Sequence, residues 1–207
     1  MTAAQMRPVS SMPDYATLQP GDALIVVDVQ NDFLPGGRLG VPRGDEVVPV
    51  LNRYARLFAE KGLPVYATRD WHPPDHCSFE ARGGPWPVHC VADSPGAAFA
   101  PALDLPQDST IVHKAAAPER DAYSGFEGPA LHERLQEDGV GRVFVGGLAT
   151  DYCVLNTVRD ALARGYETYL LADAVRAVNV DPQDGARAEA EMRRLGARAV
   201  TLDSVRA

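Results

Sequence analysis

The residues that could do chemistry lie where apolar runs of the chain end. Asp28 closes the first run, Asp70 and then His72 follow the second, Lys114 ends the third, and Cys153 comes just after the fourth. A thiol can act as a covalent nucleophile when a carboxylate accepts its proton and an ammonium group stabilises its thiolate. The position of Cys153 near the start of a predicted helix also favours the thiolate, because a helix N-terminus carries positive partial charge.

Each of these residues also has a purely structural interpretation. Cys153 could be a small buried hydrophobic residue, and Asp28 with Lys114 could be a buried ion pair. The use of lysine favours function, because only Lys61 and Lys114 of the 20 basic residues are lysine. Lys61 precedes Gly62 at a predicted helix end, where arginine would serve equally well. We therefore interpret Lys114 as a residue that arginine cannot replace.

Three of the five histidines cluster in one irregular segment, 71–107, which is rich in proline and glycine. They are His72, His76 and His89. With Asp70 at the start of the segment, these imidazoles suit a divalent ion such as Zn²⁺, Fe²⁺ or Mn²⁺. Cys77 and Cys90 each follow a histidine directly, so a closed structural zinc site is the alternative. Long irregular segments in compact domains are usually functional.

Glycine and aromatic residues near the same chain positions could complete a site. Gly146 and Gly147 permit a tight turn whose amide groups could bind a developing oxyanion. Phe33, Trp86 and Tyr123 could form the walls of a pocket for a small flat ligand, although each alone is more often a packing residue.

The elements that must position these residues alternate along the chain. Six short apolar runs predict strands at 24–29, 64–68, 110–114, 142–145, 168–172 and 198–202. Helical spacing of apolar residues predicts helices within 47–61, 130–138, 154–162 and 181–195. This alternation predicts an α/β fold with one parallel sheet and right-handed crossovers. The carboxyl ends of such strands form a binding crevice, where the four groups described above should meet.

Composition limits the functions to consider. The 207 residues predict one domain, with 1–20 as an N-terminal extension and 21–207 as the domain. A net charge of −8 argues against nucleic acid or an anionic membrane as partner. We see no apolar run long enough to cross a bilayer and no secretion signal in the first twenty residues. The odd number of cysteines, 3, is typical of a reducing cytoplasm, which we expect as the location.

Five motifs contain most of the residues described above. They are 28–33 (DVQNDF), 69–76 (RDWHPPDH), 83–90 (GGPWPVHC), 121–126 (DAYSGF) and 147–154 (GLATDYCV). Together they resemble the nicotinamidases (pyrazinamidases) of the isochorismatase-like cysteine hydrolase superfamily. The first and last motifs are typical of the superfamily, and the metal loop between them narrows the resemblance to nicotinamidases. The sequence departs from the family after Lys114, where Ala115–Ala116–Ala117 replaces the Gly-Thr that many members carry.

The resemblance implies a single-domain, three-layer α/β/α sandwich with a six-stranded parallel sheet. It also implies the roles of particular residues. These are a catalytic triad of Asp28, Lys114 and Cys153; metal ligands Asp70, His72 and His89, with His76 a ligand in some members only; oxyanion-hole N–H groups of Ala149 and Cys153 beside a cis Leu148–Ala149 bond; and a pyridine pocket of Phe33, Trp86 and Tyr123.

The activity that the resemblance implies is hydrolysis of nicotinamide to nicotinate and ammonia through a cysteine thioester, as in NAD salvage, with pyrazinamide as a second substrate. The expected cofactor is one divalent metal ion, Zn²⁺ first, with Fe²⁺ and Mn²⁺ as alternatives. A homo-oligomer is left open. The alternatives are a carbamoyl or ureido amidohydrolase, which generally lacks this metal loop, and a non-catalytic, metal-stabilised binding protein. An isochorismatase-type ether hydrolase is disfavoured because those enzymes lack the cysteine.

Overall fold

The structure is a computed structural model that describes residues 15–206. A six-stranded parallel sheet lies at the centre of this part of the chain. The strands are β1 (Ala16–Thr17), β2 (Asp22–Val27), β3 (Val65–Asp70), β4 (Thr110–Lys114), β5 (Arg142–Leu148), β6 (Glu167–Arg176), β7 (Arg198–Val200) and β8 (Val205–Arg206). The helices are α1 (Val47–Glu60), α2 (Pro129–Glu137), α3 (Leu155–Ala163) and α4 (Asp184–Leu195). The order in the sheet is β4-β3-β2-β5-β6-β7, and each neighbouring pair is parallel.

Helices cover both faces of the sheet, which confirms the predicted three-layer α/β/α sandwich. In β2, Leu24 and Val26 pack into the cluster that contains Phe58 of α1. Ile25 and Val27 face the opposite cluster, to which α2, α3 and α4 contribute. Because β2 is buried on both faces, every residue of the strand is apolar except Asp22, whose carboxylate pairs with Arg142.

The predicted segments are all present, with differences at their ends. Strands β5 and β6 run to Leu148 and Arg176, well beyond the predicted ends at 145 and 172. The predicted turn at Gly146 and Gly147 is wrong, because both residues lie within β5. The pairing of β5 with β6 shifts register between Val145 and Gly147, so the glycines mark an irregularity inside the strand.

Part of the predicted N-terminal extension packs on the domain. Ala16 and Thr17 pair in parallel with Val205 and Arg206, and Leu18 joins the core on the α1 face. Residues 1–14 of that extension lie outside the described residues. Within 15–206 no helix is long and apolar enough to cross a bilayer.

Gly147 lets β5 approach β2 closely because it has no side chain, and we expect this position to tolerate none. Its φ is +129°, and a Cβ there would lie 2.1 Å from the Val27 carbonyl oxygen. Gly62 also has a positive φ, +65°, but a Cβ there would meet nothing within 4 Å. Gly147→Ala should lower the free energy of unfolding by more than about 3 kcal/mol. Gly62→Ala should lower it by roughly 1 kcal/mol.

Urea denaturation of the two variants beside the unaltered protein makes this comparison. Equal losses of stability in Gly147→Ala and Gly62→Ala would contradict the close approach of β5 to β2, because the left-handed backbone is common to both positions.

Candidate active site

The carboxyl ends of β2, β3, β4 and β5 bring the four predicted groups together. Asp70 and Lys114 are register partners on neighbouring strands. The Lys114 Nζ lies 2.9 Å from Asp28 Oδ2 and 3.5 Å from Cys153 Sγ. A thiol, a carboxylate and an ammonium group, which are far apart in the sequence, therefore meet at one point.

Lys114 is the centre of this group. Its Nζ also contacts Asp70 Oδ1 and donates to the Ala122 carbonyl oxygen at 3.1 Å. The side chain is 2% exposed. Burial alone would lower the pKa of Lys114, but the carboxylates of Asp28 and Asp70 raise it well above its usual range. The ammonium group therefore stays charged and neutralises part of the negative charge of two buried carboxylates.

Asp28 is fully buried and takes the left-handed backbone conformation, with φ +49°. Its Oδ1 accepts a hydrogen bond of 2.8 Å from the hydroxyl of Thr68. Burial raises the pKa of Asp28 to about 6, against the lowering effect of Lys114. A carboxylate with a pKa close to neutrality can accept a proton and return it, which is what a general base requires.

Cys153 is buried at a point where a cation and two carboxylates act in opposite directions on the pKa of its thiol. It lies within a π-helical turn, Thr150–Val154, that leads into α3. Burial raises the pKa of the Cys153 thiol well above its usual range, Lys114 lowers it, and Asp28 and Asp70 raise it further. Burial and the two carboxylates therefore oppose the thiolate, which the helix N-terminus and Lys114 favour. The thiol therefore needs a base.

Three of the predicted metal ligands form a compact set. Asp70, His72 and His89 are buried, and one ligand atom from each lies within 4.8 Å of the others. The Nδ1 of His72 is 3.1 Å from the His89 carbonyl oxygen, and the Nδ1 of His89 is 2.8 Å from the Pro87 carbonyl oxygen. Since a carbonyl oxygen only accepts, each Nδ1 carries the proton and leaves the Nε2 lone pair available to a metal ion.

The electrostatics of this set also suit a divalent cation. Burial lowers the pKa of His72 to about 4 and lowers the pKa of His89, so both imidazoles are neutral at pH 7. Asp70 adds a carboxylate, of which Oδ1 contacts Lys114 and the second oxygen can serve as a ligand. Two neutral imidazoles with one carboxylate are a common ligand set for catalytic zinc.

His76 lies beside this set with both ring nitrogens engaged. Its ring centre is 4.4 Å from that of His72. Its Nδ1 is 2.8 Å from the Ser78 hydroxyl, and its Nε2 is 3.1 Å from the Arg120 carbonyl oxygen. A second candidate cluster joins His76 to His72 and Asp121. His76 is not a member of the first set, Asp70, His72 and His89.

The closed zinc site with cysteine ligands, considered from the sequence, gains no support. Within residues 15–206 neither Cys77 nor Cys90 belongs to a group of ligand atoms close enough to share an ion. The Cys90 sulfur faces the Gly96 carbonyl oxygen at 3.9 Å, and burial raises the pKa of its thiol.

One cavity is lined by both Cys153 and the predicted metal ligands. Cys153, Asp70, His72 and His89 all line it. The three predicted pocket aromatics line the same cavity. They are Phe33, Trp86 and Tyr123. Ala149 lines it too, and the Leu148–Ala149 peptide bond is cis, as the resemblance implied.

The aromatic wall contains a residue that the sequence analysis missed. Trp86 Nε1 donates a 2.9 Å hydrogen bond to the Tyr123 hydroxyl. Tyr152 packs its ring edge-on to Trp86, with 5.3 Å between ring centres, and also lines the cavity. Its place directly before Cys153 was the available signal. The contacts of Thr68 with Asp28 and of the Ala122 carbonyl with Lys114 left no signal in the sequence.

Comparison with known proteins agrees with this arrangement. The isochorismatase domain model matches residues 22–204. The chain is 40% identical to a nicotinamidase of Escherichia coli strain K12 over 204 residues, covering 88% of this chain and 96% of the relative. It is 41% identical to a nicotinamidase/pyrazinamidase of Mycobacterium tuberculosis over 167 residues, covering 77% of this chain and 88% of the relative.

Among solved structures, the pyrazinamidase of Pyrococcus horikoshii in complex with zinc superposes with a TM-score of 0.85 at 52% identity. The match covers 88% of this chain and 100% of that protein. The family model covers most of the chain, and the sheet order and the crevice at the strand ends agree with it. The chain therefore belongs to the isochorismatase family.

Proposed function

We propose that this protein is a metal-dependent nicotinamidase, which hydrolyses nicotinamide to nicotinate and ammonia through a thioester on Cys153. The observation that carries the proposal is one cavity lined by both Cys153 and the buried set of Asp70, His72 and His89. Lys114, which contacts Cys153 and Asp28, lies next to this cavity but is not part of its lining. The names of the E. coli, M. tuberculosis and P. horikoshii relatives support the same substrate class.

The first step forms the thioester. Asp28 accepts the proton of Cys153, and the sulfur attacks the carboxamide carbon. The backbone N–H groups of Ala149 and Cys153 donate to the oxyanion that develops. Asp28 then returns the proton to the leaving nitrogen, and ammonia departs. Lys114 stabilises the thiolate and keeps Asp28 ionised, because its charge opposes protonation of the carboxylate.

The second step releases nicotinate. Asp28, which has given up its proton to ammonia, accepts one from water as the water oxygen attacks the thioester carbon. The same N–H groups hold the oxyanion, the C–S bond breaks, and Asp28 passes the proton it took from water to the departing sulfur, which restores the Cys153 thiol. One carboxylate thus transfers protons in both halves of the reaction.

Substrate orientation comes from the aromatic walls and the ligand set. Phe33, Trp86 and Tyr123 would pack against a flat ring. A divalent ion held by Asp70, His72 and His89 would supply a Lewis acid for the ring nitrogen. Zinc is our choice of metal, given the zinc complex of the P. horikoshii relative. Pyrazinamide has the same ring shape and a nitrogen in the same position, so it is a second expected substrate.

Ammonia release from nicotinamide tests the proposal. We expect turnover that stops on chelation and returns when zinc is added back. Benzamide, which has the carboxamide but no ring nitrogen, is the matched control and should be hydrolysed far more slowly. Turnover of nicotinamide that survives complete metal removal would contradict the proposal, and so would activity confined to ureido compounds.

Replacement of the nucleophile tests the covalent route. Cys153→Ala should lower the rate of nicotinamide hydrolysis by about 10³-fold or more, because no other group can form the thioester. Its unfolding midpoint and zinc content should stay close to those of the unaltered protein. Cys77→Ala is the control, since Cys77 is also a free cysteine but is absent from the cavity lining. Near-normal turnover by Cys153→Ala refutes the thioester.

The pKa of Asp28 sets the expected pH dependence. The base must be ionised in order to accept the thiol proton, and burial raises its pKa to about 6. The value of kcat/KM should therefore fall as the pH drops through about 6 and level off above it. Bound zinc is measured at each pH, so that metal loss is not mistaken for protonation of Asp28. A profile that stays flat to well below pH 6, with zinc retained, contradicts this role.

A further inference from the structure

Gln30 is a buried amide that serves neither as a triad member nor as a metal ligand in the proposed mechanism. Its Nε2 donates to the carbonyl oxygens of Asp70 at 2.8 Å and Ala97 at 3.0 Å. Its Oε1 accepts a hydrogen bond of 2.8 Å from the N–H of Asp70. Both ends of one amide group therefore bind the backbone of Asp70, and the side chain is fully buried.

Asp32 makes a similar contact two residues later. Its Oδ2 accepts a 2.7 Å hydrogen bond from the N–H of Cys90, the residue after His89. Cys90 has a left-handed backbone, with φ +45°. A non-glycine residue in that conformation needs support from its surroundings, and the Asp32 carboxylate provides a charge-assisted hydrogen bond there.

The residues at 28, 30 and 32 thus each act on a different part of the site. Asp28 is the base, Gln30 holds the backbone of Asp70 at the end of β3, and Asp32 holds the backbone next to His89 in the irregular loop. The loop and β3 supply separate ligands, so their relative position must be fixed before an ion can bind tightly. Partners that orient metal ligands typically change metal affinity 10- to 100-fold when removed.

We propose that Gln30 and Asp32 are positioning residues for the cation ligands, Gln30 for Asp70 and Asp32 for His89. The inference rests on the ligand set of the proposed function. A purely structural role makes a different prediction, because it would lower the stability of the metal-free protein and leave the zinc affinity of the folded protein unchanged.

The test measures zinc affinity rather than activity. Gln30→Met keeps the volume of the side chain without its hydrogen bonds, and Asp32→Ala removes the carboxylate. Asn52→Leu is the matched control, since Asn52 holds a distant loop in the same way. Its Nδ2 donates to the Ala102 carbonyl oxygen and its Oδ1 accepts from the Asp104 N–H, both at 2.8 Å.

The dissociation constant of zinc is measured on each metal-free protein by competition with a chromophoric chelator, and the unfolding midpoint by calorimetry. Gln30→Met and Asp32→Ala should each bind zinc about tenfold more weakly or worse. Asn52→Leu should keep the original affinity even if its unfolding midpoint falls as far. If Gln30→Met does not fold, Gln30→Asn, whose shorter amide cannot reach both partners, gives the same comparison.

Unchanged zinc affinity in the folded Gln30 and Asp32 variants overturns the positioning role. Failure of the unaltered protein to bind zinc or to release ammonia is a different result, and it counts against the proposed function. The unaltered protein thus tests the proposed function, and the Gln30 and Asp32 variants test the positioning role.

Discussion

The site depends on one buried charge, the ammonium group of Lys114. Removing a charge from water is costly unless partners compensate for the lost hydration, and here two carboxylates, a carbonyl oxygen and a thiol surround Nζ. The same contacts require the carboxyl ends of β2, β3 and β4 to lie at one level, because Asp70 and Lys114 end β3 and β4 and Asp28 directly follows β2. The position of the crevice is therefore fixed by an electrostatic requirement as well as by packing. The apolar clusters on both faces of the sheet hold these strands in place.

The shared cation joins two sets of residues that have different tasks. In the proposed mechanism Asp28 transfers protons and Asp70 would be a metal ligand, and Lys114 contacts both. A change in the position of Asp70 would therefore disturb the base as well as the ligand set. The short segment after β2 therefore contributes to both sets of residues. It carries Asp28 itself, and through Gln30 it holds the backbone of Asp70.

Much of this arrangement could be predicted from the sequence, because the rules involved are local or topological. The continuous apolar pattern of β2 predicted burial on both faces, and the carboxyl ends of parallel strands predicted that Asp28, Lys114 and Cys153 would meet. What depends on contacts between distant segments could not be predicted. Gly146 and Gly147 have the composition of a turn, but they lie within β5, where they pair with Val26 and Val27 of β2. The raised pKa of the Cys153 thiol comes from burial beside two carboxylates, and the partners of Gln30 lie 40 and 67 residues away in the chain.

The small number of lysines permits a direct test of the buried ammonium group. Lys61 and Lys114 are the only lysines in the chain, so ¹⁵N-lysine labelling gives two side-chain signals. Ammonium protons held in hydrogen bonds away from water exchange slowly, whereas those of an exposed lysine exchange quickly at neutral pH. We predict one protected ¹H–¹⁵N ammonium signal at neutral pH, which is lost on substitution of Lys114 by methionine and kept on substitution of Lys61. A spectrum without a protected ammonium signal from Lys114 would contradict the account.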